Sequence, residues 1–285
     1  MANKSRFIIA ESKIRAYFKD SPNYVFSLSQ LSEILENNRL LWNLPASMNE
    51  AKFSEKLEAS NIVIRKEIEI NGIKVRFIRP DATAFQVGVS LINKSYLSHY
   101  TAVFLHGLTN QIPKTVYVSF EQSKKLNFQR QLEQKAIDLA FRKPQRKSNA
   151  TAIYEGFTLL IHNGMYSNRS GVFLLNGLPV TNIERTLIDI AVRPNYSGGV
   201  YSVLDIYRQA IEKISVNKLT AILDKLNFIY PYHQTIGFYL QKAGMNKNQL
   251  SGLIAREKKN DFYLTYEMEE MNYNDTWKIY YPKGM

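Results

Sequence analysis

The chain has 285 residues, 45% apolar and 22% charged, with a formal net charge of +12 and no cysteine. That length exceeds what a single core usually serves, so two domains are expected, and the lack of cysteine excludes disulfides and thiolate metal sites. Excess positive charge favours a polyanionic partner. No apolar run reaches the roughly 18 residues of a membrane span, and Met1-Ala-Asn-Lys-Ser lacks the apolar core of a secretory signal. A cytoplasmic protein with no membrane partner is therefore expected.

In chain order, residues 5–19 read as a first helix on the spacing of Phe7, Ile14 and Phe18, and Ser21-Pro22-Asn23 ends it. Tyr24-Val25-Phe26 suits a short strand. Ser27 and Gln30 form a capping box ahead of a second helix carrying Leu28, Leu31, Ile34 and Leu35. After a turn with Trp42 and Pro45, the S-x-x-E spacing of Ser47 and Glu50 predicts a third helix beginning at Ser47. Ala51, Phe53 and Leu57 form its apolar side, and Asn49, Lys52 and Lys56 face outward. Ile62 to Ile70 and Ile73 to Ile78 read as strands about Asn71-Gly72, the strongest short hairpin signal.

Helix, short strand, helix, helix, strand, turn, strand is the winged helix-turn-helix order. The third helix would read DNA and the hairpin would be its wing. A two-residue turn sets Glu69 opposite Lys74 and Glu67 opposite Arg76, neutralising two wing bases. Arg65 and Lys66 are left as the better phosphate candidates. The predicted class is therefore α+β, with a winged-helix domain over 1–82, a linker segment over 83–95 whose apolar stretch 84–92 reads as a short helix or linker, and a larger mixed α/β domain over 96–285.

In the second domain Ser98 is expected to cap an apolar helix that stops at Gly107. His99 and His106 on that helix are too far apart for a metal pair on adjacent turns, so both are read as structural. Pro113–Phe120 reads as a strand. Residues 81–150 hold 10 Lys/Arg against 4 Asp/Glu, the most basic part of the chain. Lys124, Lys125, Arg130, Lys135, Arg142, Lys143, Arg146 and Lys147 form a candidate second nucleic-acid surface. The alternative for such a charge run is a solvated face.

Tyr154–His162 is expected as a strand turning at Asn163-Gly164, and Phe173–Pro179 as a hairpin. Thr181 and Glu184 form a third capping box. In the helix that follows, Ile183, Leu187, Ile190 and Ala191 make the apolar stripe, and Arg185 pairs with Asp189 on the other side. Cap, ion pair and the stop at Pro194 account for these residues without catalysis. Three helical stripes follow, near 200–213, 216–227 and 232–243, and the tail alternates like strands returning to a sheet. No phosphate-binding loop, nucleophile elbow or H-E-x-x-H motif is present. Neither a catalytic residue, a metal site nor a cofactor is expected.

Several stretches resemble one family. Tyr96-Leu-Ser-His-Tyr-Thr-Ala-Val-Phe-Leu-His-Gly-Leu108, with Gln111-Ile-Pro113 and Val116-Tyr-Val118, is similar to the segment after the winged helix of AbiEi-type antitoxins. Val180-Thr-Asn-Ile-Glu-Arg-Thr-Leu-Ile-Asp189, with Arg193-Pro194 and Gly198-Gly199, resembles that family's most recognisable motif. Tyr230-Pro-Tyr-His-Gln-Thr-Ile-Gly-Phe-Tyr-Leu240 resembles a later one.

The resemblance implies a non-enzymatic antitoxin of a type IV toxin–antitoxin system, acting in phage abortive infection. Such a protein represses its own operon by binding inverted repeats in the promoter DNA. It also counters a cognate AbiEii-type nucleotidyltransferase toxin without a lasting tight complex. By motif position the reading helix is 47–59 and the wing 62–78, which selects Ser47, Asn49, Lys52, Lys56, Arg65, Lys66, Lys74 and Arg76 as DNA contacts. Thr181, Glu184, Arg185 and Asp189 mark the motif itself. Two other expectations are a nuclease targeted by the winged helix, built from dispersed carboxylates, and a partner-binding scaffold.

Overall fold

Phe7, Ala10, Ile14 and Phe18 recur at helical spacing and are the buried residues of α1 (Arg6–Asp20). The protein's structure, a computed structural model, describes residues 5–124 and 132–285. It is a mixed α and β architecture in two units, one formed by 1–94 with 150–159 and the other by 95–149 with 160–285.

In the first unit α1 is followed by β1 (Val25–Phe26), α2 (Leu28–Asn38), α3 (Glu50–Ala59), β2 (Ile64–Glu69) and β3 (Ile73–Ile78). The Ser27–Gln30 capping box forms as expected. Strand order is β1-β3-β2, all antiparallel. Phe53 anchors α3, stacked on Trp42 at 5.9 Å and edge-on to Phe7 at 6.3 Å.

Two details differ from expectation. Helix α3 is capped by Asn49, whose side chain accepts from the Lys52 N–H, and Ser47 lies in the preceding turn. Asn is as good an N-cap as Ser, and starting at Glu50 still buries Phe53 and Leu57. The hairpin loop has three residues, because Ile70 leaves the ladder, donates to the Gly72 carbonyl at 3.0 Å and is buried. The register therefore slips by one: Glu69 faces Ile73, Glu67 faces Val75, and Lys66 faces Arg76. Neither expected glutamate–base pair forms. The stretch read as a short helix or linker holds α4 (Ala84–Ser90), opened by a Thr83–Gln86 capping box and buried at Ala84 and Val87.

The second unit opens with β4 (Tyr96–Leu97), α5 (His99–Leu105), β5 (Thr115–Glu121) and α6 (Gln134–Phe141). Ser98 sits at the N-cap of α5 without a side-chain capping bond. Strand β6 (Thr151–Tyr154) belongs to the first unit, and β7 (Phe157–Gly164) follows it across Glu155-Gly156. That pair, with φ of +47° and +82°, is the tight turn, and Asn163-Gly164 lies inside β7 instead. A glutamate in a left-handed position carries no turn signal, which is why the sequence pointed to the wrong dipeptide.

Strands β8 (Val172–Leu175) and β9 (Leu178–Thr181) form the expected hairpin, and β9 runs parallel to β4. Next come α7 (Ile183–Val192), α8 (Val200–Ala210), α9 (Val216–Leu226), α10 (Tyr232–Lys242) and α11 (Ser251–Ile254). Their apolar faces share one core with Phe141, Phe262 and Trp277. The tail strands β10 (Phe262–Tyr263), β11 (Met271–Asn274) and β12 (Ile279–Pro282) make their own sheet, order β10-β12-β11, instead of extending the first. Among the described residues no helix is long and apolar enough to cross a membrane.

Candidate functional site

Two regions collect the residues singled out by sequence. The first is the exposed side of α3 with the β2–β3 hairpin. Lys52 and Lys56 lie one turn apart on the outer face of α3, exposed, and neither forms an ion pair among the described residues. Lys66 is likewise exposed and Lys74 half-buried. Two bases behave differently from expectation. Arg65 pairs with Glu67 at 2.6 Å, two residues along its own strand and so on the same face. Arg76 turns inward, donating through Nε and Nη2 to the Ser90 carbonyl at 3.1 and 2.9 Å, and burial lowers its pKa. The end of α4 offers a carbonyl with no further helical donor, and a guanidinium satisfies it at little cost. Arg76 is therefore a structural residue.

The candidate second basic surface divides. Lys125 and Arg130 lie outside the described residues. Lys124, Lys135, Arg142, Lys143, Arg146 and Lys147 are exposed, but α6 spans only Gln134–Phe141, so they do not share one helical face. Lys143 and Arg146 instead edge a cavity of about 670 Å³ in the second unit.

Helix α7 forms the floor of that cavity. Its cap is Asn182, whose Oδ1 accepts from the Arg185 N–H at 2.9 Å. Thr181 ends β9 with its hydroxyl against that of Thr186 at 2.8 Å, because a buried strand end leaves it no reach to the helix turn. The helix is buried nearly all round, so the Arg185–Asp189 pair expected on an outer side is internal. Glu184, also buried, meets Lys218 Nζ at 2.9 Å.

Arg185 Nε donates to Asp189 Oδ1 at 2.8 Å, and Nη1 donates to the Ser170 carbonyl at 2.7 Å and to Ser167 Oγ at 3.1 Å. Ser167 in turn donates through its hydroxyl to Glu121, which also accepts the N–H groups of Ser167 and Arg169, each at 3.0 Å. Gly171, at φ +79°, lets the chain pass so close to Arg185 that a Cβ there would lie 2.7 Å from Arg185 Cβ. Burial pushes the Asp189 carboxyl above the ordinary aspartate range, with Arg185 pulling it partly back.

His99 and His162 also line the cavity. Ser98 Oγ contacts His99 Nδ1 at 2.8 Å and Ser119 Oγ at 2.7 Å, and Ser119 Oγ reaches His162 Nδ1 at 3.4 Å. Two imidazoles are thus joined through two hydroxyls. His99 holds φ +50° while fully buried, a strained conformation that persists only where its surroundings fix it. Burial, then Arg193 and Arg185, lowers the His162 pKa to about 4, and His99 lies well below its usual value for the same leading cause. Both rings are neutral near pH 7. His106, outside this lining, donates from Nε2 to the Thr181 carbonyl at 2.6 Å, a structural role as expected.

These shifts set a pH dependence. A histidine whose folded pKa is depressed contributes stability above its unfolded value of about 6.5, and this is lost as pH falls toward its folded value. For His162 the loss between about pH 6.5 and 4 is on the order of 2–3 kcal/mol, and His99 acts in the same direction. Urea unfolding midpoints should drop across that window, and His162→Gln should flatten the drop. A midpoint independent of pH there would refute the assignment of neutral buried rings.

Glu121, Ser167, His162 and Tyr96 were not found by sequence reasoning. They are spread over 72 positions of the chain and lie in no shared motif, so no local signal could have grouped them. Among the described residues no group of three or more His, Asp or Glu side chains is placed to hold a metal ion.

No family model and no curated protein matches the chain. Among solved structures, it is similar to the crystal structure of the RV2827C protein from Mycobacterium tuberculosis, with a TM-score of 0.58 and 12% identity over 96% of this chain and 91% of that one. The likeness shows a shared mixed α and β fold over nearly the full length of both chains.

Proposed function

We propose that the first unit is a winged helix-turn-helix module and that the protein is a DNA-binding autorepressor and antitoxin of the AbiEi type. The observation that carries the DNA half is the pair Lys52 and Lys56 on α3, exposed and without ion-pair partners among the described residues, on the helix that in this element order would face the duplex. Lys66 adds an exposed cation on the hairpin, with no ion pair among the described residues. Arg65 remains available as well, since an exposed pair such as Arg65–Glu67 is worth about 0–1 kcal/mol and yields readily to a phosphate. Backbone contacts of this kind position a protein on DNA without specifying sequence. The antitoxin half rests on the resemblance carried by the residues from Val180 to Asp189, with a nucleotidyltransferase toxin as the partner and promoter inverted repeats as the DNA.

Binding to the DNA immediately upstream of its own gene should weaken steeply with salt, each neutralised phosphate contributing about −0.9 to the log–log slope. Changing Lys52 and Lys66 together to alanine should flatten that slope by about 1.8 and weaken binding at every salt concentration. Fluorescence anisotropy on a labelled duplex measures both. An unaltered slope would show that this surface does not meet the phosphates.

A further inference from the structure

We propose that the cavity of the second unit is a binding site for a nucleotide, a role separate from DNA binding by the first unit. Its size, about 670 Å³, lies within the range of small-ligand sites. Four cations line it, Lys143, Arg146, Arg185 and Arg193, against a single carboxylate, Asp189, which Arg185 already holds. Lys143, Arg146 and Arg193 make no ion pair among the described residues, so three positive charges converge on a concave, partly desolvated surface. Such a surface concentrates field on an anion and rejects a cationic ligand.

The remainder of the lining distinguishes a nucleotide from a bare anion. Phe228, Tyr230 and Tyr266 are half-buried rings in the lining, and each base has a face that stacks on such rings. His99 and His162, also in the lining, uncharged and linked through the Ser98 and Ser119 hydroxyls, offer donor and acceptor nitrogens suited to a base edge or a ribose hydroxyl. The strained backbone of His99 belongs to this lining. Tyr96, beside Arg185, is also part of the lining, and burial holds its hydroxyl protonated as a donor. Basic, aromatic and neutral polar groups in one lining together match phosphate, base and sugar.

The test is calorimetric titration of the full-length protein with each of the four ribonucleoside triphosphates, and with adenosine and inorganic phosphate as half-ligands. Saturable binding of at least one triphosphate is expected at one per chain, with both half-ligands at least tenfold weaker. The double variant Lys143→Glu/Arg146→Glu changes two exposed side chains and should weaken triphosphate binding at least tenfold with no shift in the urea midpoint. Lys135→Glu/Lys147→Glu, exposed basic positions outside the cavity, should leave binding unchanged within twofold. The proposal is overturned if no triphosphate binds, if phosphate alone binds as well as a triphosphate, or if only an oligonucleotide binds. It also fails if the two double variants behave alike.

Discussion

Arg185→Leu is expected to destabilise the second unit by about 3–5 kcal/mol, the usual cost of removing one partner from a buried ion pair. Arg185 and Asp189 are 6% and 9% exposed, so the variant would strand a largely desolvated carboxylate with no other ion-pair partner among the described residues. It would also free the Ser170 carbonyl and one contact to Ser167. Asp189 would then respond by taking up a proton, so the loss should be largest at neutral pH and shrink toward acid pH. The double variant Arg185→Leu/Asp189→Leu should recover much of the loss, because exchanging a whole buried pair for apolar side chains is often neutral or better. Urea unfolding of the three proteins decides it. Equal losses in the single and double variants would mean that the other contacts of Arg185, and not the stranded charge, dominate.

Gly237→Ala should be comparably damaging, although alanine is about 1 kcal/mol the better helix former. Gly237 lies in the middle of α10, and a Cβ there would fall 2.1 Å from Trp277 Cζ3 and 2.2 Å from Cη2. Real carbon contacts do not approach that distance, so the indole must move. It has little freedom: the ring is fully buried, the Trp277 N–H donates to Asn274 Oδ1 at 3.0 Å, and its carbonyl accepts from Gln234 Nε2 at 2.7 Å. Overpacking a well-filled core costs roughly 1–3 kcal/mol and sometimes more. A rigid ring tied at its backbone belongs at the upper end, about 3 kcal/mol. Trp277→Leu introduced with Gly237→Ala should be less harmful than either change predicts alone, since the smaller side chain vacates the clash. A raised melting temperature for Gly237→Ala would show that the helix–indole contact is looser than described.

Much of the fold follows from local pattern. The spacing of Phe7, Ile14 and Phe18, the Ser27–Gln30 box and the stripes of α8 to α10 each fix an element because the reward lies within one or two helical turns. The Arg185–Asp189 pair was legible for the same reason, being four residues apart on one helix. Its environment was not. Whether a helix face meets solvent or a sheet depends on segments far away in sequence, and α7 shows all of its faces covered.

The sequence by itself determined a basic, cysteine-free chain with an N-terminal helix–strand–helix–helix–hairpin order, a second set of packed helices, and exposed lysines on α3. Only the tertiary structure decided the hairpin register, the inward turn of Arg76, the link from Glu121 through Ser167 to Arg185, and the meeting of His99, His162, Arg185 and Asp189 around one cavity. The register turned on burying Ile70, a gain of one side chain that no pairwise strand pattern contains. The cavity depends on β4, β5, β7 and α7 packing together, and such long-range closure leaves no mark on the local composition of any of them.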